Sequence, residues 1–264
     1  RWVTRQIDSR DIPGVNKIQI NQWVEDYGED SDFVRVWVKG EFPRAGSNQL
    51  ISSEYIEAAR RYKAEAFADL PVVVSVDVAR YGKNQTVIGR RQGRQFRVLG
   101  KYRGLDIVET SEKVIEFILK EDPDAIVVDG DGLGAGVVDT VKHRGFGKKL
   151  YEFHGGVKAN DADAYFNRRT ECWGLMRDWL RNGAEIPNDP ELAADLVGPQ
   201  YGYSGRGQQI QLEKKEDMEK RGLASPDFGD CLAMSFSVTV RAKEKIKKPV
   251  VVMYPTQENL SWMQ

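Results

Sequence analysis

The stretch Val72-Val73-Val74-Ser75-Val76-Asp77-Val78 decides the fold. It is apolar on both faces, which predicts a strand in the middle of a sheet that is covered on both sides. Pro71 precedes it, and the turn-forming residues Gly82-Lys83-Asn84 follow it, so the strand is short. It ends in an acid, Asp77. The chain is therefore expected to contain a buried strand that terminates in a carboxylate.

Four further strands are predicted on either side of this one. Short turns lead to strands at 86–89 and 95–102, which predicts an antiparallel meander. A helix at 107–120, a buried strand at 125–129, a glycine-rich loop with a helix, and a strand at 149–153 follow; this alternation favours parallel pairing with right-handed crossovers. We therefore predict an α/β fold with a mixed five-stranded sheet flanked by helices. Later helices are expected at 166–180, 191–196 and 227–240.

The chain is expected to have three parts. Residues 1–70 are predicted to be a lead-in, with a half-buried strand at 33–38 and a helix at 53–67 that Ser53 caps. Residues 71–240 form the main domain. Residues 241–264 form a basic tail, because their first eight residues hold five cations against one anion.

Composition excludes several classes of protein. The 264 residues include 39 Lys and Arg against 40 Asp and Glu, so the net charge of −1 disfavours nonspecific coating of nucleic acid. Two cysteines and two histidines exclude a disulfide scaffold and a Cys-rich zinc site. No apolar run reaches about 18 residues, so no membrane partner is expected. Carboxylates must hold any metal.

Acids stand at the ends of two predicted strands and on a late helix. Asp77 and Asp129 each end a buried strand, where a carboxylate is costly unless a positive charge compensates it. Side chains from neighbouring strands of one sheet can converge at one edge, where a divalent cation would offset their repulsion. Asp227 and Asp230 are three apart, so they share a face of the late helix. The alternatives are that strand-end acids cap turns, and that the helix acids compensate the helix dipole.

A glycine-rich loop, Gly130-Asp131-Gly132-Leu133-Gly134-Ala135-Gly136, follows Asp129. It fits the loose dinucleotide-binding fingerprint, with Glu152 near the spacing of a ribose-binding acid. The fingerprint usually opens a parallel unit, whereas three meander strands precede this loop. A phosphate-binding loop of the G-x-x-x-x-G-K-[ST] type is absent from the sequence, so the chain is not expected to be an ATPase by itself.

Two cationic stretches are candidate DNA-binding surfaces. The first lies on the predicted hairpin, and its alternative is a solvated face. The second precedes the late helix and is diluted by acids. Neither histidine and neither cysteine forms a recognisable constellation. The cations are Arg90, Arg91, Arg94, Arg97, Lys101 and Arg103 in the first stretch, and Lys214, Lys215, Lys220 and Arg221 in the second.

Three stretches together resemble a known family. They are Val76-Asp77-Val78-Ala79-Arg80-Tyr81-Gly82, then the segment from Val127 to Asp139, then Ser225-Pro226-Asp227-Phe228-Gly229-Asp230-Cys231-Leu232-Ala233. The order of elements resembles the ribonuclease H-like fold, and the motifs resemble the nuclease domain of the large terminase subunit of tailed bacteriophages. Lys39-Gly40-Glu41-Phe42-Pro43 is similar to the segment that joins that family's ATPase to its nuclease.

The resemblance implies a metal-dependent endonuclease that cuts concatemeric viral DNA during genome packaging. It implies catalytic and metal-binding roles for Asp77, Asp129 and Asp230, with Asp227 as a fourth ligand. Two Mg²⁺ or Mn²⁺ ions would lie about 3.5–4 Å apart, and Asp77 is the expected bridge. The implied partners are double-stranded DNA, the ATPase domain of the same protein, the portal protein and the small terminase subunit, in the host cytoplasm and transiently at the procapsid portal. The alternatives are a junction resolvase or transposase, a nucleotide-binding oxidoreductase, and a non-catalytic DNA- or portal-docking module.

Overall fold

The central sheet has five strands in the order β3-β2-β1-β4-β5 in the computed structural model, which describes residues 6–29, 32–41, 48–65, 69–79, 84–204 and 209–241. β1 pairs antiparallel with β2 and parallel with β4; β2 and β3 are antiparallel, and β4 and β5 are parallel. The predicted mixed sheet is confirmed. The strands are β1 (Val72–Asp77), β2 (Thr86–Gln92), β3 (Gln95–Tyr102), β4 (Ala125–Asp129) and β5 (Leu150–Phe153).

Helices cover both faces of this sheet. The described residues also include a two-stranded antiparallel sheet that the sequence patterns did not predict, formed by β6 (Tyr201–Tyr203) and β7 (Ile210–Leu212). None of the helices in the described residues combines the length and the apolar character needed to cross a bilayer. The helices are α1 (Lys17–Tyr27), α2 (Asp32–Trp37), α3 (Ser53–Arg61), α4 (Ile107–Glu121), α5 (Gly134–Val141), α6 (Arg168–Arg181), α7 (Pro190–Val197), α8 (Lys215–Lys220) and α9 (Asp227–Met234).

Alternating side chains of the central strands enter two separate cores. Val74 and Val76 pack with residues of α4 and α5 on one face. Val73 lies on the other face, in a core that includes Trp173 from α6 and Leu232 from α9. All six residues of β1 are buried, because both faces of the strand are covered.

The predicted strand at 33–38 is wrong, since α2 occupies most of it. Val34, Trp37 and Val38 are spaced i, i+3 and i+4, which is the period of a helix rather than of a strand. Val34 and Val38 are fully buried in a small cluster with Ile20 of α1. Burial of the apolar face formed by these three residues therefore outweighs the strand propensity of the segment.

Two helix boundaries also differ from prediction. α3 is capped by Ser52, whose Oγ accepts a hydrogen bond from the backbone N–H of Glu54 at 3.2 Å, and α3 ends at Arg61. α9 ends at Met234 rather than at 240, because the following N–H groups, beginning with that of Ser235, bond to carbonyls three residues back and tighten the chain. The predicted basic tail lies outside the described residues, apart from its first residue.

The helix α4 begins at a capping box. Asp106 Oδ1 accepts a hydrogen bond from the backbone N–H of Glu109 at 2.8 Å. In return, Glu109 Oε2 accepts one from the backbone N–H of Asp106 at 3.0 Å. Each bond satisfies a group that the first turn of a helix would otherwise leave free.

Candidate metal centre

Two of the predicted acids leave the sheet at the same edge. Asp77 is the last residue of β1, and Asp129 is the last residue of β4. The two strands are parallel neighbours, with Val76 opposite Val128, so their final side chains come side by side. The sequence-based expectation that these two carboxylates meet at one end of the sheet is consistent with this geometry.

The helix α9 brings the third acid to the same place. Asp230 lies in its first turn and lines, with Asp77 and Asp129, an open cleft of about 270 Å³. Asp227 does not line the cleft, although its charge raises the pKa of Asp77; its Oδ2 accepts a hydrogen bond of 2.8 Å from the backbone N–H of Gln85, before β2. Three of the four predicted ligands therefore share the cleft.

Asp230 is surrounded by donors. Its Oδ1 accepts hydrogen bonds from Arg169 Nε at 2.9 Å and from Trp173 Nε1 at 2.8 Å, and its Oδ2 lies 2.9 Å from Lys215 Nζ. Burial alone would raise the pKa of Asp230, but the charges of Arg169 and Lys215 outweigh it and hold that pKa well below its usual range. Asp230 is therefore an ionised carboxylate whose negative charge is balanced by Arg169 and Lys215.

Asp77 and Asp129 are in the opposite condition. Burial raises the pKa of Asp77 well above its usual range; Lys215 opposes the shift, and the charges of Asp227, Asp230 and Asp129 add to it. Burial also raises the pKa of Asp129, against a hydrogen bond of 3.1 Å that its Oδ1 accepts from the backbone N–H of Asp131. Neither carboxylate has a cation in direct contact with it among the ion pairs of the described residues.

The donor set fits a divalent cation in part. Asp77 and Asp129 supply oxygen ligands whose negative charge is not balanced, which suits Mg²⁺ or Mn²⁺. Across the residues that the structure describes, no three His, Cys, Asp or Glu side chains converge closely enough to hold an ion. Both oxygens of Asp230 are already bound to Arg169, Trp173 and Lys215. Coordination by Asp230 would require Lys215 to move.

The second cationic stretch lies beside these acids. Lys214 and Lys215 both line the cleft, and the charge of Asp230 raises the pKa of Lys215. Lys215 thus acts as an internal counter-ion, a role that its place in the sequence did not indicate. Lys214 is exposed.

Most of the first cationic stretch lies away from the acids, although Lys101 pairs with Val87 at their end of the sheet. Asp77 pairs with Val87, whereas Val72 pairs with Gln92, so the turn between β2 and β3 lies at the opposite end of the sheet. Arg94 and Arg97 are exposed near that turn.

Three other predicted DNA-binding cations of the hairpin have partners within the chain, two of them partly buried and one, Lys101, exposed. Arg90 Nε lies 3.0 Å from Glu121 Oε2, and Lys101 Nζ lies 3.0 Å from Glu191 Oε2. Arg91 donates to Ser235 Oγ at 2.8 Å and covers the ring of Phe236 at 4.2 Å, and burial lowers the pKa of Arg91 to about 10.

The glycine-rich loop forms the turn from β4 into α5. A Cβ on Gly134 would lie 1.6 Å from the carbonyl oxygen of Asp129, so only glycine fits there. The backbone N–H of Asp131 already bonds to the Asp129 carboxylate. The dinucleotide-binding alternative is disfavoured, because two acids stand where the pyrophosphate would lie.

Sequence reasoning missed Arg169 and Trp173. Both lie on α6 at a spacing of four residues, so they share one face of that helix and reach Asp230 together. The spacing was visible in the sequence, but nothing local connected it to an acid about 60 residues further on.

Comparison with known proteins finds similarity to phage proteins. No family model matches the chain. The chain is 27% identical over 250 residues to the probable terminase large subunit of Enterobacteria phage P7, covering 86% of the chain and 50% of that protein. The chain thus spans about half the length of the curated relative it matches.

Solved structures share the fold. A mutant nuclease domain of the large terminase subunit gp2 of bacterial virus Sf6, with manganese and beta-thujaplicinol, has a TM-score of 0.61 at 21% identity, covering 71% of this chain and 97% of that one. The large terminase nuclease from thermophilic phage G20c, with bound magnesium, has a TM-score of 0.52 at 15% identity, covering 73% and 98%. The predicted resemblance is therefore confirmed. The chain has the ribonuclease H-like fold of large terminase nuclease domains, and most of this chain matches part of a protein named as a probable terminase large subunit.

Proposed function

We propose that this chain is the nuclease part of a large terminase subunit, and that it cuts double-stranded DNA with the help of divalent metal ions. The observation that carries the proposal is the cleft in which Asp77, Asp129 and Asp230 meet, with Lys214 at its rim. The named relative and the metal-containing neighbours support it.

The residues of the cleft suit phosphodiester hydrolysis. Asp77, Asp129 and Asp230 would hold two Mg²⁺ or Mn²⁺ ions once Lys215 moves away from Asp230, and Asp227 would remain an outer acid. When bound, such ions supply an activated water and stabilise the leaving oxygen. Lys214 attracts the DNA backbone, and Arg169 and Trp173 hold the Asp230 carboxylate in a fixed orientation.

The wider role is also part of the proposal. The substrate is the concatemeric viral DNA that is cut during packaging, in the host cytoplasm and transiently at the procapsid portal. An ATPase domain of the same protein, the portal protein and the small terminase subunit are the proposed partners. The DNA-binding residues are the exposed cations Lys214, Arg94 and Arg97, with Arg90, Arg91, Lys101 and Lys215 in supporting contacts.

A plasmid cleavage assay tests the proposal. We expect nicking and linearisation with Mg²⁺ or Mn²⁺, and none with excess chelator. Asp129→Asn should abolish cleavage, whereas Asp122→Asn, at a carboxylate with 75% of its side chain exposed, should leave the rate unchanged. A chain that binds plasmid without cutting it under any metal would instead indicate the docking alternative.

A further inference from the structure

The helix that carries Asp227 and Asp230 is capped by a side chain from a different helix. Pro226 occupies the cap position of α9, and no side chain there accepts a hydrogen bond. Instead, Asp195 of α7 reaches across. Its Oδ2 accepts hydrogen bonds from the backbone N–H groups of Phe228 at 2.8 Å and Gly229 at 3.4 Å. These are N–H groups that a helix start leaves free unless another group accepts from them.

A second contact holds the same turn from the side. A Cβ on Gly229 would lie 2.6 Å from the ring of Trp173, so glycine lets α9 approach that ring closely. Trp173 is fully buried, and its Nε1 donates to Asp230. The first turn of α9 is therefore fixed by two contacts: Asp195 accepts from its backbone N–H groups, and the ring of Trp173 packs against Gly229.

The charge of Asp195 adds to the acidic group. Burial raises the pKa of Asp195 well above its usual range; the charge of Asp227 adds to the shift, and the two N–H groups oppose it. An asparagine would accept the same two hydrogen bonds without the charge. The contribution of the bonds and that of the charge can therefore be separated by substitution.

We propose that Asp195 is a positioning residue of the metal centre, which fixes the first turn of α9 so that Asp230 faces the ends of β1 and β4. It touches neither the metal nor the substrate in this arrangement, and it acts through the backbone of α9. The expected effect on metal binding rests on the proposed function, whereas the anchoring of α9 by Asp195 does not.

The test compares two caps in the same protein. Asp195→Ala removes the cap of α9, and Asp106→Ala removes the cap of α4, which starts at the same end of the sheet but contributes no residue to the lining of the cleft. Mn²⁺ binding is measured by calorimetry without DNA, and thermal unfolding is followed in parallel. We expect Asp195→Ala to weaken Mn²⁺ binding about tenfold, the low end for groups that orient metal ligands. Asp106→Ala should lower the unfolding temperature but leave the affinity unchanged.

The conservative variant and a second probe make the result decisive. Asp195→Asn should keep most of the Mn²⁺ affinity, because the amide oxygen accepts the same two bonds. The indole N–H resonance of Trp173, assigned with Trp173→Phe, should shift in Asp195→Ala and not in Asp106→Ala. If the wild type binds no Mn²⁺, the proposed function fails, and this resonance still decides whether Asp195 anchors α9. Equal Mn²⁺ affinity in Asp195→Ala and wild type, or equal resonance shifts in the two alanine variants, would overturn the inference.

Discussion

The two ends of the central sheet handle charge in opposite ways. At the hairpin end, Arg90 and Arg91 have internal partners, so the basic stretch in the sequence is only partly a free surface. At the other end, the buried Asp77 and the partly exposed Asp129 have no cation in contact among the described residues, while Asp230 has two. The number of charges in a stretch of sequence therefore says little about its function. What marks the site is the charge that the fold leaves unbalanced.

The largest effect should come from removing one unbalanced charge. Asp77→Asn should slow plasmid cleavage about 10³-fold or more, because an ion that stabilises the transition state is worth several kcal/mol. Circular dichroism checks that the fold is kept, and Asp122→Asn is the matched control. Wild-type rates in Asp77→Asn with Mn²⁺ supplied would show that the unbalanced end of the sheet is not the metal site.

The pH dependence of metal binding should distinguish the acids from one another. The pKa values of Asp77 and Asp129 are raised, so these groups still hold protons somewhat above the ordinary carboxylate range, and a cation must displace them. Mn²⁺ affinity should therefore fall as the pH is lowered from neutral, by up to about tenfold per pH unit for each proton released. Asp230 should release none, because its pKa is lowered.

Calorimetry in buffers of different ionisation enthalpy measures the protons released on Mn²⁺ binding. Asp129→Asn should reduce that number. An affinity that does not change with pH over this range would contradict the assignment of raised pKa values to the cation-binding acids.

The salt dependence of DNA binding should divide the cations into two groups. The logarithm of the DNA-binding constant should fall linearly with the logarithm of the salt concentration. The magnitude of that slope should drop by about 0.9 for every phosphate group that a variant no longer binds. We expect this drop for Lys214→Ala and for the double variant Arg94→Ala with Arg97→Ala. Arg91→Ala should leave the slope unchanged and lower the free energy of unfolding instead, because its guanidinium bonds to Ser235. Affinity is measured against salt for each variant. If only Lys214→Ala changes the slope, the hairpin is a solvated face.

The smallest effect concerns the metal-free protein. A carboxylate whose folded pKa is raised contributes stability at low pH that is lost as the pH rises through that pKa. At neutral pH, Asp77→Asn or Asp129→Asn should therefore raise the unfolding temperature slightly, by about 2–4 °C for each kcal/mol gained. Asp230→Asn should lower it, since its pKa shift has the opposite sign. Thermal unfolding in chelator measures all three; a large fall in both Asp77→Asn and Asp129→Asn would indicate a capping role.

Most of the sheet was predictable because its signals are local. The run before Asp77 is apolar on both faces, and the turns around Gly93 and before Thr86 bound the meander. The acids at strand ends followed from the same pattern. The prediction at 33–38 failed because a six-residue stretch with five apolar residues fits both the strand period and the helix period, and only the packing of Val34 and Val38 against α1 decides between them.

The partners of the acids were not predictable in this way. Arg169, Trp173 and Asp195 reach α9 from two other helices, at sequence separations of 61, 57 and 33 residues. Lys215 stands in a stretch where acids and lysines alternate, so its charge looked diluted. Which of these side chains meets Asp230 depends on how the helices pack, and no local pattern carries that information.

The contact between Lys215 and Asp230 helps the protein to fold before any metal binds. Because the chain supplies its own cation to the most buried part of the cleft, part of the electrostatic repulsion is relieved without any external ion. Synthesis and folding can then finish in a cell where free divalent ions are scarce or variable. Metal supply would then control the rate of cleavage more strongly than the yield of folded protein.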